Sequence, residues 1–320
     1  MQIVFLSARP DVLAGTLRHV RAKLPFLDRF LVVTPERLRA PMTGLGIEVV
    51  TDEELLGGPG PGDHSQRNYA LRAAMSDCTS IDDVFLSSDD DSRPLVPLDE
   101  TVFVRAGRYR RYTFGHLDDW ELRTTSYDAC LLASRAVLAL HALPRVAYAS
   151  HQPQIIDKAL LREVTALFAA AAARHPLDEW AMYFNAAGAL HPDRFEQPEP
   201  YLTLGWPENA AAWHPLLDPG ALLIENTFLE HYAAGGVFDG LDPDDTSYDA
   251  AADKVVRWRT YELEVAAGER HAALVPKAPA GPLGEAARRA RAATVGAPSH
   301  RARERRAAVS ALLRALARRP

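Results

Sequence analysis

Four short apolar runs near the start of the chain, "QIVFLS", "RFLVVTP", "GIEVVTD" and "DDVFLSSDDD", are separated by stretches of helical period. Runs of this length, rich in β-branched residues and bounded by turn formers, read as buried strands. Between the first two, "DVLAGTLRHVRAKL" puts Leu13, Leu17 and Val20 on one helical face. Before the fourth, "DHSQRNYALRAAM" reads as a helix that begins at His64, because Asp63 and Gln66 have the spacing of a capping box. Strands alternating with helices build a mainly parallel sheet covered on its faces, an α/β architecture in which ligands collect at the carboxyl ends of the strands.

The fourth run ends in Asp89, Asp90 and Asp91, followed by an Arg-Pro after one serine. Three adjacent carboxylates repel one another and stay ionised together only when solvated or shared with a cation. The pleat of an extended segment points alternate residues the same way, which pairs Asp89 with Asp91. Mg2+ or Mn2+ suits such a pair, since these hard ions take a few carboxylates and leave positions for phosphate oxygens and water. A solvated acidic loop is the plainer alternative. No glycine and closing glutamate follow at EF-hand spacing. Arg67 lies just behind the free amides that open the preceding helix, a combination that suits phosphate, although an ordinary surface arginine has the same signature.

The second half is less regular. "TVFVRAGRYRRYTF" is aromatic and basic and reads as an exposed strand edge. A helix follows around residues 126–142, then a short strand "RVAYAS" and a long helix beginning near Pro153, with Ile156, Leu160, Val164 and Leu167 on one face. Residues 192–222 read as an ordered aromatic loop region, and "DKVVRWRTYELEVAA" as a last strand. The expected division is one α/β domain over 1–275, in halves 1–100 and 101–275, with an Arg/Ala-rich tail over 276–320 that is helical or partly disordered.

Charge and cysteine usage narrow the class. Residues 281–320 carry ten Arg and two Glu, a net of +8, so a chain of net charge −6 has −14 on the remainder. An acidic body argues against nucleic acid as the partner of Arg108, Arg110 and Arg111. In the tail, Val309, Leu312, Leu313 and Leu316 fall at helical spacing among arginines, the pattern of a weak, salt-sensitive contact with anionic lipid or of docking on a protein surface. Cys78 and Cys130 lack metal-ligand spacing and fit a reducing compartment. No run reaches the roughly 18 apolar residues of a membrane span, and "MQIVFLSARPD" does not read as a signal peptide. The expected location is the cytosol, with peripheral contact at the inner face of the membrane as an option. A homo-oligomer remains open.

Taken together, "IVFLSAR", "RN-ALRAA" and "DDVFLSSDDD" resemble nucleotide-sugar glycosyltransferases of the GT-A fold, in which a strand ends in an Asp-x-Asp motif. The resemblance covers residues 1–160 and makes 1–100 the nucleotide-sugar half and 101–275 the acceptor half. It implies that Ser7 and Arg9 lie near the base or ribose, and Arg67 and Asn68 near the diphosphate. Asp89 would meet the ribose or metal and Asp91 the metal, with Asp90 replacing either if the register slips by one. It implies a third metal or phosphate contact from His151, whose other reading is a packed residue before Pro153, with His214 and His231 as secondary candidates. In "TFGHLDDWELRTTSYD", Asp118 and Asp119 beside Trp120 would grip an acceptor sugar, one of them serving as general base in an inverting reaction. A polar turn is the alternative there.

"SSDDDSRP" and "ASHQPQIIDKALLREV" also resemble Stealth-type capsular polysaccharide proteins, which transfer sugar phosphates, but "LSARPD" stands where those chains open on Trp-Val-Asp-Gly. The function implied is a metal-dependent hexosyltransferase using Mn2+ or Mg2+. It would move sugar from a GDP- or UDP-sugar, GDP-mannose first because the Ala/Arg-rich composition points to a high-GC bacterium, onto a glycan or polysaccharide acceptor. A Stealth-like sugar-phosphate transferase and an inactive glycan-binding or scaffold protein are the alternatives.

Overall fold

The computed structural model describes residues 1–113, 115–120, 126–148, 151–200, 202–204 and 223–266. His214 and the tail over 276–320 lie outside the described residues, as does most of the 192–222 segment.

The four apolar runs form β1 (Gln2–Leu6), β2 (Arg29–Thr34), β3 (Glu48–Thr51) and β4 (Val84–Asp89). A short β5 (Ser92–Pro94) follows the aspartates, and β6 (Gln154–Asp157) completes the central sheet. The order is β6-β4-β1-β2-β3, with every pairing parallel except β6 on β4. Ile3, Val4, Phe5, Leu31, Val32, Val33, Phe85 and Leu86 are all fully buried, so both faces of these strands are covered and the runs are continuously apolar instead of alternating. Each such side chain contributes about 1.5–3 kcal/mol on leaving water.

Helix α1 (Pro10–Lys23) starts with proline where a missing N–H costs nothing, and buries Leu13, Leu17 and Val20 as its spacing requires. Helix α2 (His64–Ala74) begins where expected, with Asp63 accepting the Gln66 amide at 2.9 Å. Helix α3 (Ser126–Leu140) also matches.

The next helix differs from its expected bounds. Gln154–Asp157 pairs with β4 as a strand, and α4 (Lys158–Ala172) starts only after Asp157, whose carboxylate caps Ala159 and Leu160. The apolar run before Lys158 is claimed by the sheet edge. The buried face of α4 is therefore Leu160, Leu161, Val164 and Phe168, while Leu167 is 40% exposed. Helix α5 (Glu179–Leu190) is buried along Trp180–Ala187 and underlies the same region.

Two short strands, β7 (Thr203–Leu204) and β8 (Ile224–Asn226), join β5 in the order β7-β8-β5. The expected last strand is instead α6 (Tyr248–Ala266). Its buried residues Ala251, Lys254, Trp258 and Tyr261 recur every three or four positions, a helical period that outweighs the β propensity of Val255 and Val256. The Arg-rich stretch is a hairpin, Val104–Arg105 on Arg108–Tyr109, turned by Ala106 and Gly107, both at positive φ. Its arginines divide: Arg105 and Arg108 on the hairpin are exposed, as an edge would be, whereas Arg111 is buried against Tyr148 and Phe195 and Arg110 pairs with Glu199. Among the described residues no helix is long and apolar enough to cross a membrane.

Candidate functional site

From β1 the chain runs outward through β2 to β3, then returns to place β4 on the other side of β1. The gap between β1 and β4 is thus the topological switch point, where connections diverge and leave a crevice at the carboxyl ends. Leu6 pairs with Asp89, so the two strands end level and the residues after them emerge side by side.

Those residues meet. Ser7 Oγ donates to Asp90 Oδ2 at 2.6 Å and accepts the Arg9 amide at 3.1 Å. The Arg9 guanidinium bonds both oxygens of Asp90, through Nε at 3.1 Å to Oδ2, and also reaches Asp91 Oδ2 at 2.8 Å. From the opposite side, Asn226 at the end of β8 donates to Asp91 Oδ1 at 2.8 Å, and the Thr227 amide donates to the Asp91 carbonyl at 2.8 Å. The strand stops at Asp89, so the pleat does not continue through the run. Asp90 and Asp91 form the turn into β5 and share Arg9, while Asp89 faces Arg72.

Arg72, in the third turn of α2, is the arginine of this helix that reaches the acidic strand end. It donates to Asp89 Oδ1 and Ser87 Oγ, and to Glu179 Oε1 at 3.0 Å, and its guanidinium lies 4.2 Å over the Trp180 ring. Arg67 instead pairs with Asp52 beyond β3, and Asn68 contacts the His64 ring at 3.2 Å. Five residues on a helix turn through about 140°, so Arg67 and Arg72 cannot face the same neighbour. Arg72 shares its buried face with Ser65, seven positions earlier, and is flanked by Leu71 and Met75, which is the signal that marks it.

The charge balance is uneven. Burial and then the charges of Asp89 and Asp90 push the Asp91 carboxyl up, against the pull of Arg9. Two arginines therefore leave the three aspartates short of positive charge. Among the described residues no group of three or more His, Cys, Asp or Glu is arranged to hold a metal ion, so Asp89, Asp91 and His151 do not form a three-ligand set. Mg2+ and Mn2+ take a few carboxylates completed by substrate phosphate and water, so Asp89 and Asp91 suit such an ion by their chemistry, although in this structure Asp89 faces Arg72 while Asp91 faces Arg9 and Asn226.

His151 sits at φ 49°, and its carbonyl accepts from Ser92 Oγ at 3.2 Å and Thr203 Oγ1 at 3.4 Å, so its backbone ties the loop to β5 and β7. His231 is packed among Phe228, Phe238 and Trp258 in the core. Asp118 makes a two-pronged, exposed pair with Arg145, which holds its carboxyl below the usual range. Asp119 is exposed beside it, and Trp120 donates to Asp128 and packs edge-on to Tyr127.

Two further acids feel the charge of Asp89. Asp178 caps α5 through the Ala181 amide at 2.7 Å, and Glu179 follows it against Arg72. Burial and the neighbouring Glu179 push Asp178 up to about 7, with Asp89 adding to the rise. In sequence the "LDEW" signal is only that of a helix start, and only the fold shows Glu179 meeting Arg72 and both acids coming under the influence of Asp89.

No protein-family model matches the chain, and no curated protein does. Three solved structures are similar in part. Mouse xyloside xylosyltransferase 1 in its apo form aligns at 12% identity over 71% of this chain and 96% of that one, with a TM-score of 0.38. Glucosyl-3-phosphoglycerate synthase from Mycobacterium tuberculosis, in complex with Mn2+, UDP-glucose and phosphoglyceric acid, aligns at 16% identity over 50% and 57%, with a TM-score of 0.32. A mycobacterial protein aligns at 18% identity over 30% and 32%, with a TM-score of 0.22. The chain thus spans only part of the last two, and the functional reading rests on the site's own chemistry.

Proposed function

We propose that the chain is a nucleotide-sugar glycosyltransferase of GT-A type whose donor diphosphate binds over the carboxyl ends of β1 and β4. The observation that carries this reading is the convergence, at the sheet's switch point, of Ser7 and Arg9 from one strand on Asp90 and Asp91 from the other, level with Asp89. An arginine beside clustered carboxylates offers both halves of diphosphate recognition, a guanidinium for phosphate oxygens and oxygen ligands for a divalent ion. Asp89 and Asp91 would hold that ion, which supplies Lewis-acid stabilisation of the leaving diphosphate.

The chain's own residues account for the rest of the reaction. The bond between the anomeric carbon and the phosphate oxygen breaks, and Arg9 donates to the charge that develops on the diphosphate. The acceptor hydroxyl attacks that carbon and gives up its proton. A base for this step needs a raised pKa: burial and the neighbouring Glu179 raise the Asp178 carboxyl, whereas Arg145 holds that of Asp118 down, so Asp178 is the candidate base. Arg72 orients Asp89 by holding it to α2 and α5.

The test is a thermal-shift screen of GDP-mannose, UDP-sugars and dTDP-sugars with and without Mn2+, on wild type and Asp91→Asn. One nucleotide family should raise Tm in a Mn2+-dependent way, since a ligand that binds only the folded state stabilises it by mass action. Asp91→Asn should abolish that rise, and Mn2+-dependent transfer with it, while folding normally. Retention of both by the variant overturns the reading.

A further inference from the structure

The two arginines that face the acidic turn are held in different ways. Arg72 is 5% exposed and is fixed by Ser87, Asp89 and Glu179 and by the ring of Trp180. Arg9 is 51% exposed, and its guanidinium touches carboxylates alone among the described residues, those of Asp90 and Asp91. Among the described residues no aromatic ring stacks on it, unlike Arg72 on Trp180. Its acceptors, by contrast, are 4% and 14% exposed, so they are the more deeply desolvated partners in this contact.

That asymmetry decides what can leave. A half-exposed guanidinium returns to water at little cost, but buried carboxylates left without a cation are strongly destabilised. Arg9 can therefore release Asp91 only in exchange for another positive charge. Asp91 is prepared for this, because Asn226 holds its other oxygen and the Thr227 amide holds its carbonyl, so its orientation does not depend on Arg9. A divalent cation held by Asp91 would compete with the Arg9 guanidinium, which occupies its Oδ2.

We propose that Arg9 is an exchangeable counter-ion: a divalent cation displaces it from Asp91, and the released guanidinium then binds the phosphate oxygens of the donor. This rests on the donor-site reading above. It makes cation and nucleotide binding cooperative, because the cation frees the group that the diphosphate needs, and the diphosphate gives that group a new partner. It also assigns Arg9 to the phosphates instead of the base or ribose.

Calorimetry of Mn2+ alone, on wild type, Arg9→Gln and Arg18→Gln, tests the exchange without any turnover. Arg18 is a half-exposed arginine paired with Asp244, so its variant controls for loss of one positive charge. Arg9→Gln should bind Mn2+ about fivefold or more tighter than wild type, and should lose at least as large a factor in cooperativity between Mn2+ and a nucleoside diphosphate. Arg18→Gln should match wild type. A second measurement uses the wild-type protein only: labelling of Arg9 by phenylglyoxal, read by mass spectrometry, should rise with Mn2+ and fall again when nucleoside diphosphate is added. If wild type binds Mn2+ but Arg9→Gln binds it no tighter and Mn2+ leaves Arg9 labelling unchanged, the exchange is wrong and the cation site stands. If Mn2+ gives no heat with either protein, the cation reading of the site fails, and the exchange with it.

Discussion

Lys254 Nζ and Glu225 Oε2 meet at 3.0 Å, and neither side chain has any exposed surface. Glu225 also accepts the Tyr232 hydroxyl, and the ammonium lies 5.3 Å from the Tyr232 ring centre. The pair pins α6 to β8, the strand whose next residue, Asn226, orients Asp91. Breaking it from one side leaves an uncompensated buried charge. Lys254→Met should lower unfolding stability by about 3–5 kcal/mol in urea titration, and Lys254→Met with Glu225→Gln should recover more than half of the loss. Equal loss in the single and double variants would show that the charge is not the cause.

His19 makes the same region sensitive to acid. Its ring is buried on α1, with Nδ1 3.4 Å from the Pro94 carbonyl and Nε2 3.3 Å from that of Pro243. Burial, with the charges of Lys254 and Arg93, lowers its pKa from 6.5 to about 4 against the opposing pull of Glu225. Between those values the unfolded chain takes up the proton and the folded one does not, so stability is complete above pH 6.5 and falls as pH drops towards 4. The contribution amounts to about 3 kcal/mol. Unfolding curves from pH 7 to 4 should therefore fall more steeply for wild type than for His19→Gln, and parallel curves would remove His19 from the account.

The strands were legible because burial on both faces leaves a continuous apolar run, and the carboxyl end of such a run is where an acidic cluster stands out. What the sequence does not show is which neighbour each acid meets. The pleat pairs Asp89 with Asp91, but the chain turns after Asp89, and the turn sends Asp90 to Ser7 and shares Arg9 between Asp90 and Asp91. Arg67 and Arg72 look equivalent in a one-dimensional reading, yet only Arg72 faces the sheet. Asn226, Asp178 and Glu179 arrive from elements more than 80 residues away along the chain, and no local pattern ties them to Asp91 or Asp89. The strand expected at "DKVVRWRTYELEVAA" fails for a related reason: Lys254 is a core residue there, and a buried lysine hides the helical period of its neighbours.

The acceptor side yields a kinetic prediction. With a general base at Asp178, kcat/KM for transfer should show an acidic limb near pH 7, the value to which burial and Glu179 push this carboxyl. Asp178→Asn should remove the limb and cost about 10²- to 10⁴-fold in rate with little change in Mn2+ affinity. Asp118→Asn should leave both rate and profile near wild type, because that carboxylate is already committed to Arg145. A large loss in Asp118→Asn alone would move the base to the exposed turn.

Gly15 offers a stability test in which two ordinary effects oppose each other. It lies in the middle of α1, where Gly to Ala normally stabilises a helix by about 1 kcal/mol. A Cβ at this position would run into the Arg93 guanidinium and the Asp244 carboxylate. Arg93 is 2% exposed and held by Thr16 Oγ1, the Pro243 carbonyl and Asp244, so it has no free direction in which to move. Overpacking of this kind costs about 1–3 kcal/mol and here adds the loss of buried hydrogen bonds, so the strain wins. Gly15→Ala should lower Tm despite its better helix propensity, and Gly15→Ala combined with Arg93→Met should be more stable than Arg93→Met alone, because the second change removes the guanidinium and unties the 40%-exposed Asp244 side chain from it, so that this carboxylate can swing out. A Gly15→Ala single variant that is stabilised by the usual increment would show that the Arg93 cluster yields freely, and that α1 is not clamped by it.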